Sequence, residues 1–333
     1  MTLRLCASVF NGPTRPSSAH KIQGVAKLEE RMEQLRRLRT MPLDESGVAL
    51  VRKALQDREN LIVAEAAKVV AARQLTVLIP DLLSAFDRLF ESPVKSDPKC
   101  FGKLAIVQAL TRMDYSEAPP FLRGARHVQK EPVYGGQEDT ALTLRGASVL
   151  ALVASTDVSR TEIFRELVEA LVDPSDPVRI DAVRAIAQMS GDEASLLLRL
   201  KARMGDSNPN VTGQVFDALL SLDREKAITL VAEFLNSSDV EVRDEAAFAL
   251  GSSRLPQGIH ALIDVWNRSS NREFRGVIIR ALGSSRQTAS IEFLLELIRT
   301  GLGQEAAAAV EALKSYESSD IQSQVEHAKK ARS

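Results

Sequence analysis

Apolar and small residues recur along this chain in short helical bursts, and the bursts are themselves periodic. Each closes on an apolar residue: Val70, Leu110, Leu152, Ile186, Leu219, Leu250, Leu282 and Leu313. The successive spacings are 40, 42, 34, 33, 31, 32 and 31 residues. A period in this range marks a stacked array, in which each unit buries its apolar face only against its neighbours. Within a period, helical spacings occupy two runs separated by a short polar turn, so each repeat reads as two helices. The fold class expected is all-α, a solenoid of about eight helical hairpins.

The later repeats show the pattern best. One runs from Ile163 to Asp173, turns through Pro174-Ser175-Asp176-Pro177 and continues from Val178 to Ile186. Ser175, Asn208, Asp239 and Asn271 stand at the matching place in successive turns, three residues before Val178, Val211, Val242 and Phe274. All four are helix N-cap types, whose side-chain oxygens accept from the first free N–H groups, each worth about 1 kcal/mol. Pro209 follows its cap where a missing N–H costs nothing. Gly251-Ser252-Ser253 and Gly283-Ser284-Ser285 are expected to end second helices as glycine C-caps.

The ends and the two long spacings set the organisation. Residues 1–22 carry Asn11-Gly12-Pro13 and Pro16 with no sustained period, and read as a loose tail. Residues 23–40 form a charged helix with Leu28, Met32, Leu35 and Leu38 on one side, suited to capping an array. The repeats fill 41–314, with insertions near 91–98 and 130–139, and 315–333 hold a closing helix and tail.

The Val178-Arg179 and Val242-Arg243 pairs, followed by alternating Ala and apolar residues and by Ala249-Leu250-Gly251 and Ala281-Leu282-Gly283, resemble HEAT repeats. The likeness is to the short type also found in phycobilisome-lyase-like proteins, an armadillo-like α-solenoid. It is sharp from Ile163 onward; earlier, Ile62-Val63 and Gly102-Lys103 replace the Val-Arg pair, and Thr212 replaces Arg in one later repeat. The resemblance implies a right-handed superhelix with second helices on its concave side. Arg145, Arg179, Arg243 and Arg275 are expected to pair with acidic or carbonyl groups at a neighbouring turn, such as Asp173 or Asp239, and not to form an anion-binding ladder.

Composition narrows the function. Net charge is −1, and the second-helix positions two before each closing residue read Lys68, Gln108, Leu150, Arg184, Asp217, Phe248, Arg280 and Glu311. That row has no basic stripe to neutralise phosphates, and with a single Trp and three Tyr there are few stacking platforms, so nucleic acid is not an expected partner. HEAT-type metal-dependent hydroxylases hold iron through His-Glu pairs; none of His20, His127, His260 and His327 is followed by Glu. No phosphate loop, GxSxG or HExxH occurs. No catalytic, metal or cofactor residue is assigned. Cys6 and Cys100 read as reduced thiols, no apolar run is long enough to span a bilayer, and the expected location is cytoplasmic.

What remains is an extended surface, and the expected role is a non-enzymatic protein–protein interaction scaffold or regulatory adaptor. The alternative is an enzyme or accessory subunit of the bilin-lyase type, resting on repeat type alone. The place where the array breaks its own rule supplies the candidate site. A helix from Pro119-Pro120 would set Arg123, Arg126, His127 and Lys130 at 0, 3, 4 and 7, a basic face beside the Tyr134-Gly135-Gly136 loop. Together these seven residues are expected to grip an acidic segment of a protein partner.

Overall fold

The computed structural model describes the backbone of residues 18–332 and side chains from residue 26. The tail expected over 1–22 therefore lies, as far as residue 17, outside the described residues, as does Cys6. Its last residues are helical: α1 spans Ser18–Arg37. Eight helical pairs follow. They are α2 (Glu45–Leu55) with α3 (Asn60–Arg73), α4 (Ile79–Arg88) with α6 (Phe101–Arg112), and α7 (Pro119–Ala125) with α8 (Leu142–Leu152). Next come α9 (Arg160–Leu171) with α10 (Asp176–Met189), α11 (Gly191–Met204) with α12 (Pro209–Asp223), and α13 (Glu225–Glu233) with α14 (Val240–Ser252). The last are α15 (Pro256–Arg268) with α16 (Arg272–Ser285) and α17 (Thr288–Thr300) with α18 (Gly303–Lys314), before α19 (Ser319–Arg332) closes the described chain. The first insertion holds the single turn α5 (Pro93–Ser96), and the second is a β-hairpin, β1 (Lys130–Val133) against β2 (Gly136–Asp139).

The chain divides into two compact units. One comprises residues up to 115 together with 128–141; the other comprises 116–127 and everything from 142 on. In the first, α3 packs on α1, α2 and α6, and α4 packs on α6. Its core is built from small and branched side chains such as Ile62, Ala66, Val70, Ile106 and Leu110, all buried. In the second, α8, α10, α12, α14, α16 and α18 each pack on the next, while α13, α15, α17 and α19 do the same in a second layer. The closing residues that set the sequence period, from Leu152 to Leu313, are fully buried along the first of these rows. Burial of each such side chain is worth roughly 1.5–3 kcal/mol, which is how a repeat lacking its own core holds to its neighbours.

Three of the four expected caps form. Asn208 accepts from Asn210 N–H, Asp239 from Glu241 and Val242 N–H, and Asn271 from Phe274 N–H; Ser175 makes no such bond. The glycine C-caps are corrected. Gly251 and Gly283 lie within helices, and left-handed residues near the ends of α14 and α16 are Arg254 and Arg286. A Cβ on Gly251 would come 2.3 Å from the Ala281 carbonyl oxygen, and one on Gly283 2.7 Å from Ala312 Cβ. These glycines serve close approach between successive second helices, a demand of packing that the local motif does not reveal.

Candidate interaction site

The helical face expected from Arg123 to Lys130 does not form. α7 stops at Ala125, the chain turns over through Arg126 and His127, and Lys130 starts a strand in the other unit. The strand is favoured because Glu131 turns inward to three bonding groups, which a continued helix would not offer, and Pro132 could not donate within one. Arg126 is also not an open cation: its Nε donates to Glu166 Oε2 at 2.9 Å and its Nη2 to Glu166 Oε1. His127 is half-buried and its carbonyl accepts from Arg145 Nη1 at 3.0 Å. Of the seven candidates, Arg123, Arg126 and His127 thus lie in one unit and Lys130, Tyr134, Gly135 and Gly136 in the other.

The second group is one structural object. Lys130 pairs with Asp139, Glu131 with Glu138, Pro132 with Gln137 and Val133 with Gly136, leaving Tyr134-Gly135 as a two-residue turn. Gly135 has φ +88°, the left-handed conformation that a side chain would resist. Tyr134 is fully exposed at the tip, with Val133 about half-exposed beside it. An isolated two-stranded hairpin is marginal in water. This one is held at its base by a buried polar network.

Lys103 is completely buried. Its Nζ lies 3.3 Å from Asp97 Oδ2, donates to Gln129 Oε1 at 2.9 Å and to the Leu89 carbonyl at 3.4 Å, and faces the Phe90 ring at 5.1 Å from its centroid. Asp97, also fully buried, accepts from the Gly102 and Lys103 N–H groups at 2.8 and 2.9 Å, so it caps α6, and from Asn60 Nδ2 at 2.8 Å. Gln129 Nε2 reaches the Asp97 carbonyl at 2.9 Å and Glu131 Oε1 at 2.7 Å. Glu131 further accepts from Thr140 Oγ1 at 2.7 Å and from the Lys99 N–H at 2.6 Å. Burial alone would raise the Glu131 carboxyl; the bonds from Gln129, Lys99 and Thr140 and the Lys103 charge outweigh it and hold its pKa below the ordinary value. Burial pushes the neighbouring Cys100 thiol up to about 11, so it is an inert thiol and not a nucleophile.

None of these network residues was expected to matter. Lys103 did carry a signal, because it stands where later repeats have Arg, six residues after a turn Asp. Lys103 pairs with the Asp of its own turn, Asp97, whereas Arg145 and Arg179 pair with the Asp of the next turn. Arg145 grips Asp173 at 2.8 and 3.1 Å, and Arg179 grips Asp206 at 2.9 and 2.7 Å. Asp173 and Asp206 each also accept from the N–H two residues on, at 2.8 and 2.9 Å. Structural pairing of these arginines is therefore observed for Asp173 and Asp206, but not for Asp239. Arg243 instead lies 3.4 Å from Asp244 and 4.0 Å from the Phe274 centroid, and Arg275 bonds Glu305 at 2.9 Å with Trp266 beneath it.

Among the described residues no cluster of three or more His, Cys, Asp or Glu side chains is placed to hold a metal ion, and no helix is long and apolar enough to cross a membrane. Among solved structures, the complex of CpcE and CpcF of phycocyanin lyase from Nostoc sp. PCC7120 is similar at 16% identity and TM-score 0.37, over 76% of this chain and 94% of that one. An engineered protein is similar at 16% identity and TM-score 0.37, over 95% and 96%. Human deoxyhypusine hydroxylase in complex with glycerol is similar at 19% identity and TM-score 0.30, over 81% and 99%. Likenesses this distant carry no functional argument. No curated protein matches the chain in sequence. The family model of HEAT repeats matches residues 164–243 and 229–314, the stretch where Arg179 and Asp206 tie successive turns and each second helix stacks on the next. Over that stretch the chain carries HEAT repeats.

Proposed function

We propose that the chain is a protein-interaction module, a scaffold or regulatory adaptor, and that the β1–β2 hairpin docks its partner. The observation that carries this reading is Tyr134, fully exposed at the tip of a hairpin whose base is fixed by buried charged groups. Displaying a large aromatic ring in water has no benefit for the isolated chain, while Tyr is among the residues that dominate interface energetics. The rigid base lowers the ordering cost on binding, since the turn is already shaped. Lys130, Gly135 and Gly136 accompany Tyr134 on this element, and Val133 adds apolar surface.

Arg126 contributes less than its charge suggests, because Glu166 neutralises it. The partner proposed is accordingly one with an apolar pocket for Tyr134, with an acidic residue near Lys130 as a secondary feature. The bilin-lyase-type alternative has no residue of this chain in its favour.

Affinity purification of the full chain from its native cells tests the reading. A stoichiometric protein should accompany the wild type, be lost with Tyr134→Ala by about 30-fold or more, and persist with Arg280→Glu, far along the other unit. Retention with Tyr134→Ala and loss with Arg280→Glu would move the site to the second-helix row. Recovery of a bound chromophore or metal in place of a protein would favour the enzymatic alternative.

A further inference from the structure

The turn ladder of the larger unit is interrupted at α12. Where Arg145 and Arg179 stand in neighbouring repeats, α12 has Thr212. Its side chain is 2% exposed, and its hydroxyl has no hydrogen-bond partner among the described residues. An unsatisfied buried hydroxyl is costly, on the order of 1–3 kcal/mol. Thr212 lines a cavity of about 650 Å³, open to solvent, together with Asp206, Ser207, Asp239, Phe234 and Met204.

The neighbouring repeat shows what this kind of place holds. There Arg179 Nη1 donates to the carbonyls of Asp173 and Pro174 at 2.8 and 3.2 Å, while its other nitrogens take a carboxylate. The equivalent turn residues here are Asp206 and Ser207, both in the cavity wall. The Asp206 carboxylate is engaged by Arg179 and by Lys201, at 2.7 Å each. Asp239, also in the wall, accepts only the backbone N–H groups of Glu241 and Val242 among the described residues, and forms no ion pair there. Phe234 and the exposed Met204 supply an apolar path along which an alkyl stem can lie.

We infer that this cavity binds a guanidinium group supplied from outside the chain, which takes the place of the arginine that Thr212 lacks. The group would donate to the Asp206–Ser207 turn, as Arg179 does to Asp173 and Pro174, with its charge opposed by Asp239. Planar, multidentate donation is what separates guanidinium from ammonium at such a place. This site lies in the larger unit and does not depend on the hairpin reading.

The probe is N-acetyl-L-arginine amide, titrated into the full chain while the Thr212 methyl is followed by NMR, with the neutral isostere N-acetyl-L-citrulline amide alongside. Saturable binding on the order of millimolar is expected for the arginine probe and at least about tenfold weaker binding for citrulline. Asp239→Asn, which keeps a good helix cap, should weaken the arginine probe about tenfold. Thr212→Arg should fill the place and abolish binding. Free L-arginine binding more tightly than the capped probe would assign the site to a small guanidino compound, and the reverse to an arginine of a partner chain. No saturable shift at Thr212, equal binding of citrulline, or full binding by Asp239→Asn would overturn the inference. Because Asp239 is exposed, that last arm stands even if Thr212→Arg does not fold.

Discussion

The two units solve one problem in opposite ways. In the larger, charged groups at the turns are few, similar and repeated: an arginine reaches across to the next turn and finds Asp173 or Asp206, with the solvent close by. In the smaller, Lys103, Asp97, Gln129 and Glu131 form a single network, mostly sealed from water and found once. Repeated pairs are modular, so each carries a modest share and can be lost singly. A sealed network must be satisfied as a whole, and removal of one member strands the others in a medium that cannot replace water.

The largest expected effect tests that contrast directly. Lys103→Met keeps helix propensity and volume but leaves Asp97 buried without its cation, and should destabilise the smaller unit by about 3–5 kcal/mol. Urea unfolding followed by hydrogen exchange in α6 measures it. A loss below that of Arg145→Met would mean the sealed network is no more cooperative than the ladder.

Next comes the pH dependence of the ladder. Burial would raise Asp206, but Arg179, Lys201 and the Asn208 N–H outweigh it and lower its pKa to about 2 from an ordinary 3.8. A depressed carboxyl stabilises the fold fully above its unfolded pKa and loses that contribution as pH falls through the folded one. About 2 kcal/mol should therefore be present at pH 6 and fade between about pH 4 and 2. The stability difference between the wild type and Asp206→Asn should shrink over that window, and a constant difference would refute the assignment.

The smallest effect separates two caps of like sequence. Asn271→Ala removes a formed bond to the Phe274 N–H and should cost about 1 kcal/mol. Ser175→Ala removes no cap bond and should stay within about 0.5 kcal/mol. Thermal unfolding of both variants checks the ranking.

What sequence revealed follows the same division. The helical pairs, the buried row from Leu152 to Leu313 and the pairing of Arg145 with Asp173 were all legible, because repetition places each residue beside its counterpart. The hairpin was located as an insertion but read as a loop. Its strands, Lys-Glu-Pro-Val and Gly-Gln-Glu-Asp, lack the apolar alternation that identifies a half-buried strand. What makes them strands is tertiary, through Glu131 and Gln129 bonding groups some thirty residues earlier. The supposed helical face from Arg123 to Lys130 failed for the same reason: periodicity in four charged residues says nothing about a helix that ends at Ala125.

The turn ladder also bears on how such a chain could lengthen by gene duplication. A repeat of the Arg179 kind offers a cation to the copy ahead and, through Asp173, an anion to the copy behind. Copied in tandem, it meets a matching terminal on each side, so every new junction is satisfied on arrival. The Thr212 repeat offers no cation forward, and the turn it faces carries Ser237 where Asp173 and Asp206 stand earlier. Neither residue is charged, so this junction forms no ion pair of the Arg179–Asp206 kind. A repeat of the Arg179 kind copied into that place would set its arginine against Ser237 in place of an aspartate, so this junction is where tandem copying loses its ion pair.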